Sequence, residues 1–205
     1  MSSRGTLFVV AAPSGAGKTS LVRALIKRMP QLRFSISYTT RRPRETEQHG
    51  RDYFFVDRAE FDRMVADGEF LEHAQVFDNS YGTARAQVES ILAQGENVLL
   101  EIDWQGAQQV RAAMPECRSI FILPPSREAL EQRLRGRATD SEEVIARRLR
   151  DSIADMTHWN EFDYVVINDD FERATSDLEA IASGRGEHLA RGRAEVQTLV
   201  GKLLG

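Results

Sequence analysis

A glycine-rich turn between an apolar run and an amphipathic stretch constrains this sequence more than any other feature. Residues 12–19 read APSGAGKT and match the pattern G-x-x-x-x-G-K-[ST], except that alanine takes the first position. Residues 6–11, just before the turn, are apolar and β-branched, which is typical of a strand buried on both faces. After the turn, apolar residues recur every three or four positions as far as Pro30, which predicts a helix.

Strand, turn and helix together are the context in which such a loop binds a nucleoside triphosphate. Its glycines let backbone N–H groups converge on phosphate oxygens, Lys18 reaches the β- and γ-phosphates, and Thr19 offers a hydroxyl to Mg²⁺. The alternative is a turn that merely joins a strand to a helix, and the matching context argues against it. The predicted site consists of Ala12, Pro13, Ser14, Gly15, Ala16, Gly17, Lys18 and Thr19. Ala12 would be strained only if its position required a positive φ.

Length and composition exclude several other classes of protein. The 205 residues suffice for one sizeable core with inserted lobes, and the net charge of -4 provides no global basic field for nucleic acid. Cys117 is the only cysteine, so neither an intramolecular disulfide nor a cysteine-based zinc site can form, which fits the cytoplasm. No run approaches the roughly 20 apolar residues that span a membrane.

The rest of the sequence predicts an α/β fold with an insertion. Alternating strands and helices, which begin again at residue 84, predict a parallel sheet covered on both faces, with ligands at the carboxyl ends of its strands. Shorter strand-like segments, and a helix that Asp57 would cap, predict an inserted α+β lobe. The expected division is a P-loop core (residues 1–34, 84–126 and 160–205), a lobe (35–83) and a helical lid (127–159).

The inserted lobe carries a basic segment that fits a second phosphate. Arg41 and Arg44 lie beside hydroxyl residues in a loop, and guanidinium groups bind phosphate in a bidentate manner. The alternative is a solvated basic loop, which this arginine-rich chain makes less surprising.

At this point the sequence resembles the guanylate kinase family, most closely its bacterial members. The matching stretches are residues 11–21, 37–44, 50–56, 69–72, 79–83, 100–107, 121–126, 133–137 and 166–169. The resemblance implies a nucleoside monophosphate kinase of the P-loop fold that transfers the γ-phosphoryl group of ATP, with Mg²⁺, to GMP.

The resemblance also implies an acceptor site in the lobe. Its phosphate-binding residues would be Ser37, Arg41, Arg44, Tyr53 and Tyr81, and its guanine-reading residues Glu72 and Thr83. One carboxylate can accept both the N1–H and the 2-amino group of guanine, whereas adenine offers neither donor in that place. Without the surrounding motif, an exposed glutamate on a strand would be an equally good interpretation of Glu72.

Two acidic residues and three arginines complete the predicted site. Glu101 and Asp103 lie two apart at a strand end and so point to the same side. By resemblance Glu101, where the family often has aspartate, contacts the nucleoside, and Asp103 can orient a water on Mg²⁺. Arg133, Arg137 and Arg148 match the arginines that close over the phosphates, and Asn168 helps hold adenine. The alternatives are a solvated strand end and solvated helix residues.

Other readings of the whole chain are a non-catalytic guanylate-kinase-like interaction module and a kinase of a phosphorylated sugar. Those modules typically lose phosphate-loop or lid residues, and a sugar acceptor gives no reason for Glu72. The C-terminal apolar patch of Leu199, Val200, Leu203 and Leu204 packs either on the core or on another subunit of a homo-oligomer. The sequence leaves that choice open.

Overall fold

The computed structural model describes residues 4–76, 78–136 and 141–205. The strands are β1 (Leu7–Ala11), β2 (Leu32–Phe34), β3 (Tyr38–Thr39), β4 (Phe54–Phe55), β5 (Phe70–Val76), β6 (Asn79–Ala84), β7 (Asn97–Glu101), β8 (Arg118–Leu123) and β9 (Tyr164–Ile167). The helices are α1 (Lys18–Arg28), α2 (Arg58–Ala66), α3 (Arg85–Ala93), α4 (Trp104–Ala113), α5 (Arg127–Arg135), α6 (Glu142–Met156), α7 (Phe171–Ala182) and α8 (Ala194–Leu204). In these described segments, no helix combines the length and apolar character needed to cross a membrane.

Two sheets organise the chain. In the described part, five strands are ordered β2-β7-β1-β8-β9, and the recorded pairs β1/β8, β8/β9 and β2/β7 are parallel. Four shorter strands form a mixed sheet in the order β4-β3-β6-β5, with β6 antiparallel to both of its neighbours. The predicted α/β class, with a parallel sheet and a separate α+β region, is confirmed.

The chain falls into two compact units. The first comprises Met1–Leu7, Gln31–Leu100 and Gln105–Cys117, and the second comprises Phe8–Pro30, Glu101–Trp104 and Arg118–Gly205. The predicted division into core, lobe and lid groups residues by their expected roles, whereas the two units group residues by how compactly they fold. The three-part division therefore stays a prediction.

Buried parallel strands form the centre of the second unit. Val10 pairs with Ile120, Ile122 pairs with Val166, and all four side chains are buried. Helices α1 and α7 pack against each other in the same unit. Because parallel strands end at one edge, the residues after β1, β8 and β9 lie at a common edge, where α/β proteins bind ligands.

The first unit contains the mixed sheet with its own small apolar cluster. Phe61 and Met64 of α2 pack with Phe70 at the start of β5, and Tyr38 covers this cluster. The Asp57 carboxylate accepts a hydrogen bond from the Glu60 amide at 2.8 Å, which confirms the predicted helix cap.

Some elements differ from the predictions. Helices α7 and α8 and strands β2 and β6 were not predicted; the buried face of α7 includes the small or hydroxyl residues Ala174 and Thr175. Within the helical lid predicted over residues 127–159, the last α-helix ends at Met156. The Thr157 amide there donates to the Ala154 carbonyl, a tighter spacing than in an α-helix, and a separate 3₁₀ turn begins at Trp159.

Part of the C-terminal apolar patch, Val200 and Leu203, packs within its own unit. Helix α8 buries Val196, Val200 and Leu203 and contacts α6. Of the two alternatives left by the sequence, the structure supports packing on the core for these residues.

Leu203→Ala should therefore destabilise the protein. The Leu203 side chain is fully buried, so its truncation leaves a cavity that lowers the free energy of unfolding by about 2–5 kcal/mol. Denaturant unfolding would measure the change. Lys202→Ala, at the exposed neighbouring position, is the matched control and should stay within about 0.5 kcal/mol of the wild type. An equal, small effect at both positions would contradict the packing of α8.

The turn between β1 and α1 depends on two glycines. Gly15 has a φ of 85° and Gly17 a φ of 93°, a region that side chains with a Cβ rarely adopt. Space is also limited, since a Cβ on Gly17 would lie 2.4 Å from the amide nitrogen of Asn168. Glycine is thus required at residue 17 both for its backbone conformation and for the close approach of Asn168.

Gly17→Ala should lower the free energy of unfolding by about 1–3 kcal/mol because of backbone strain, and it should also displace Asn168. The control is Gly201→Ala in the exposed middle of α8, where a Cβ meets nothing within 4 Å. That change should raise stability by about 1 kcal/mol through helix propensity. The two substitutions should therefore change the free energy of unfolding in opposite directions, which thermal or denaturant unfolding would measure. A Gly17→Ala protein that is more stable than the wild type would refute this account of the turn.

Candidate active site

The phosphate loop, residues 12–19, joins β1 to α1 in the second unit and ends in two functional side chains. Lys18 is the first residue of α1, and its Nζ donates to the Ile102 carbonyl at 2.6 Å. The Thr19 hydroxyl donates to the carboxylate of Glu101, the last residue of β7. Asp103 follows two residues later, half-buried. The structure thus brings Glu101 to the predicted metal-binding hydroxyl of Thr19.

Two predicted nucleotide-binding side chains hold the loop from the other side. The buried Asn168 follows β9, and its Nδ2 donates to the Ala16 carbonyl at 2.7 Å. Arg133 of α5 donates to the same carbonyl at 3.3 Å and to the Asn168 carbonyl at 2.8 Å. Asn168 and Arg133 therefore lie at the phosphate loop, where the resemblance implies that nucleotide binds.

Helix α6 contributes a third set of contacts to the loop. A guanidinium nitrogen of Arg148 donates to the Ser14 hydroxyl at 3.1 Å, and the Ser152 hydroxyl donates to the Ser14 carbonyl at 3.0 Å. Ser152 was not predicted, although its position four residues after Arg148 on one helix was the signal that could have found it. Arg137, predicted as a further lid arginine, lies outside the described residues.

In the first unit, Glu72 and Thr83 form a buried pair. The two residues are paired directly across β5 and β6, and the Thr83 hydroxyl donates to Glu72 Oε1 at 2.6 Å. Glu72 is only 5% exposed and Thr83 only 1%. Burial of a carboxylate is costly unless polar groups satisfy it, so this is not an ordinary solvated strand glutamate.

Predicted phosphate-binding residues also meet in the first unit. Tyr81 lies two residues before Thr83 on β6, so both point to the same face of the sheet. Tyr53 approaches Tyr81 edge to face, with ring centroids 6.0 Å apart, and the Arg41 guanidinium lies 5.4 Å from the Tyr53 ring centroid. Arg41, Tyr53 and Tyr81 are thus brought together, with the cation among aromatic and hydroxyl groups.

Glu47, which the sequence analysis missed, is the partner of Arg41. One guanidinium nitrogen of Arg41 donates to both carboxylate oxygens of Glu47, at 2.8 and 2.9 Å. This hydrogen bond lowers the pKa of Glu47 below its ordinary value and raises the pKa of Arg41, so both are charged at neutral pH. No regular spacing links the two residues, and only the folded loop reveals the pair.

Ser37 and Arg44 are less closely associated with this group. The Ser37 carbonyl accepts from the Phe54 amide at 2.9 Å, a backbone contact. Arg44 is exposed, and its backbone amide donates to Glu47 at 2.8 Å. The structure places both residues in the same unit as Arg41, while their roles toward a phosphate stay predictions.

Comparisons with known proteins show the family of the chain. The sequence profile described as "Guanylate kinase" matches residues 4–184. A guanylate kinase of Nitrosococcus oceani is 58% identical over 200 residues, covering 98% of each chain, and one of Sodalis glossinidius is 54% identical over 203 residues, again covering 98% of each. The crystal structure of a guanylate kinase from Anaplasma phagocytophilum matches 90% of this chain and 87% of its own, with a TM-score of 0.73 and 36% identity. The chain therefore belongs to the guanylate kinase family.

Proposed function

We propose that this protein is a guanylate kinase, a nucleoside monophosphate kinase that transfers the γ-phosphoryl group of ATP to GMP and yields ADP and GDP. Relatives that are 54–58% identical over nearly the whole chain and carry that name support the activity. The structural observation that carries the acceptor assignment is the buried Glu72–Thr83 pair. The interaction-module alternative is not favoured, because the phosphate loop and Arg148 are present and the close relatives are named as enzymes.

The donor half of the reaction belongs to the phosphate loop. Its positive-φ glycines shape the backbone that would cradle the ATP phosphates at the amino terminus of α1. Lys18 would exchange its bond to the Ile102 carbonyl for the β- and γ-phosphates, which carry more charge than a carbonyl and bind an ammonium more strongly. Arg133 and Asn168, already at the Ala16 carbonyl, would border the nucleotide.

Magnesium fits the oxygen groups beside Thr19. The Thr19 hydroxyl lies against the Glu101 carboxylate, with Asp103 two residues away, and Mg²⁺ prefers oxygen ligands. Among the described residues, no group of three or more His, Cys, Asp or Glu side chains could form an all-protein metal cage. Mg²⁺ typically relies on few protein ligands together with substrate phosphates, so Thr19 would hold it directly and Asp103 through a water. When bound, it supplies neutralisation of charge on the transferring phosphoryl group.

The acceptor phosphate would bind the group of Arg41, Tyr53 and Tyr81, with Ser37 and Arg44 from the same unit. Guanidinium and phenol groups are both donors, and they match the acceptor oxygens of a phosphate monoester. Glu47 already saturates part of Arg41, so an incoming phosphate either displaces this carboxylate or binds the donors of Arg41 that Glu47 does not use.

Guanine would be read by Glu72. Its carboxylate can accept the N1–H and the 2-amino group together, while the Thr83 hydroxyl keeps Glu72 Oε1 in position. Adenine would leave a buried carboxylate opposite an acceptor nitrogen, and sites of this kind discriminate by as much as about 10⁴–10⁵. Glu101 could add a contact to the nucleoside.

Phosphoryl transfer needs alignment, exclusion of water and neutralisation of charge rather than covalent participation of the protein. A GMP phosphate oxygen is the nucleophile and ADP the leaving group. Lys18, Arg148 and Arg137 would supply the positive charge. We place the reaction in the cytoplasm, because the single cysteine fits a reducing compartment. We expect small nucleotides as partners, because the chain has no excess of positive charge for binding nucleic acid.

Lys18→Ala should abolish turnover and leave the fold intact. Loss of a preorganised cation at the transferring phosphate lowers kcat by at least about 10²–10³-fold. Lys27→Ala is the matched control, since Lys27 is an exposed lysine on the same helix. A coupled assay of ADP release with ATP·Mg²⁺ and GMP, together with the thermal midpoint of unfolding, measures both effects. Appreciable kinase activity of folded Lys18→Ala protein would overturn the donor assignment.

Glu72→Gln should reduce discrimination between GMP and AMP. The variant keeps the side-chain volume and an oxygen that can accept from Thr83, but it sets an NH₂ group against the donors of guanine. We expect kcat/KM for GMP to fall by about 100-fold or more, because hydrogen bonds to a charged acceptor are lost, with little change for AMP.

The control is Glu69→Gln, since Glu69 on the same segment forms an ion pair with Arg63 instead. ADP release with GMP, AMP, CMP and UMP gives the selectivity of each variant. Equal wild-type rates with AMP and GMP would refute the guanine-reading role, and absence of activity with any nucleotide would refute the proposed function.

A further inference from the structure

Three side chains on one face of α6 contact the ligand-binding edge of the second unit. Arg148, Ser152 and Asp155 are spaced four and three residues apart, so they lie on the same side of the helix. Arg148 and Ser152 bond the hydroxyl and the carbonyl of Ser14, as described above, and Asp155 accepts from the Trp104 indole nitrogen at 2.9 Å. The arginine predicted to meet the phosphates therefore has two further attachments on its own helix face.

Ser152 is the nearer of these attachments. Its side chain is fully buried and donates its hydroxyl to a backbone carbonyl inside the phosphate loop. A single loop residue, Ser14, is consequently held at its carbonyl by Ser152 and at its hydroxyl by Arg148. The position of the loop and the position of the arginine are thus linked through one helix face.

Trp104 is the second attachment, and it lies immediately after Asp103. Its ring stacks on the His158 imidazole, with centroids 3.4 Å apart and an interplanar angle of 9°, and His158 Nδ1 lies 2.6 Å from Glu161 Oε1. Burial raises the pKa of Asp155 above its ordinary value, and the bond from Trp104 acts in the opposite direction. These contacts attach the carboxyl end of α6 to Trp104, which lies two residues after Ile102, the residue whose carbonyl accepts from Lys18.

We propose that Ser152 and the Trp104–Asp155 pair are positioning residues that hold Arg148 in register with the phosphate loop for phosphoryl transfer. The inference rests on the proposed function and assigns these three residues a role in it. Arginine is long and rich in rotamers, and a charge stabilises a transition state only if it is in place before the reaction. Attachments at the fourth and seventh residues after Arg148 limit the rotation and sliding of its helix.

Ser152→Ala and Trp104→Phe test the proposal independently. The first removes only a hydroxyl, and the second removes the indole donor while keeping an aromatic ring against His158. Each should lower kcat for ATP and GMP by roughly three- to tenfold, the effect of one hydrogen bond expressed in the transition state, and should change each KM by less than about twofold. Thr157→Ala is the matched control and should keep the wild-type kcat, because the Thr157 hydroxyl bonds the Ala154 carbonyl of its own helix.

A double-mutant cycle separates positioning from general stability. If Ser152 acts through Arg148, then adding Ser152→Ala to the Arg148→Ala variant should not lower kcat any further. If the reductions in kcat caused by Ser152→Ala and Arg148→Ala multiply in the double variant, the proposal is overturned. It is also overturned if both Ser152→Ala and Trp104→Phe keep the kcat of an active wild-type enzyme.

Amide hydrogen exchange gives a readout that does not require activity. Exchange over residues 148–156 should be faster in Ser152→Ala and in Trp104→Phe than in Thr157→Ala. Unchanged exchange in both would overturn the attachments themselves. If the wild type fails to phosphorylate GMP while exchange responds as expected, the proposed function and the positioning role fail and the attachments stand. If the wild type is active and the single variants keep its kcat, only the positioning role fails.

Discussion

The carbonyl oxygen of Ala16 accepts hydrogen bonds from the Asn168 amide at 2.7 Å and from the Arg133 guanidinium at 3.3 Å. These bonds satisfy the Ala16 carbonyl within the protein, whereas phosphate oxygens at such a loop bind N–H donors. The Asn168 bond is possible only because Gly17 has no Cβ, which would lie 2.4 Å from the Asn168 amide nitrogen. One backbone oxygen thus ties together the turn after β1, the end of β9 and helix α5, and the geometry of the donor site depends on it.

The sequence predicted the parts of this arrangement that local patterns encode. The phosphate loop has a fixed spacing, β1 is a buried apolar run, and the Asp57 cap belongs to a capping-box pattern. Each of these features can therefore be predicted from local sequence alone. Helices α7 and α8 were not predicted; α7 buries Ala174 and Thr175 among its apolar residues, α8 buries Val196, Val200 and Leu203, and most of the stability of such helices comes from tertiary packing. The helix propensity of a local segment carries no information about that tertiary packing.

The contacts missed from the sequence are long-range or irregular. Ser152 bonds Ser14 although 138 residues separate them, and the indole of Trp104 bonds Asp155, which lies 51 residues further along the chain. Glu47 is close to Arg41 in sequence, but a turn in an irregular loop creates their ion pair, and no periodicity predicts it. Family resemblance predicts which side chains face ligands, whereas only the structure reveals which groups hold those side chains.

Three of the described cations assigned to phosphate binding, Lys18, Arg148 and Arg41, share one property: the protein itself supplies an acceptor for each. Lys18 donates to a carbonyl, Arg148 to a hydroxyl and Arg41 to the Glu47 carboxylate. Phosphate binding at Lys18 and Arg148 would therefore replace a neutral acceptor with a charged one, which strengthens the bond. At Arg41 the phosphate competes with a full negative charge, so a complete exchange gains less there. Under the proposed function, contacts of the buried Glu72–Thr83 pair with the base would then supply binding free energy and selectivity together.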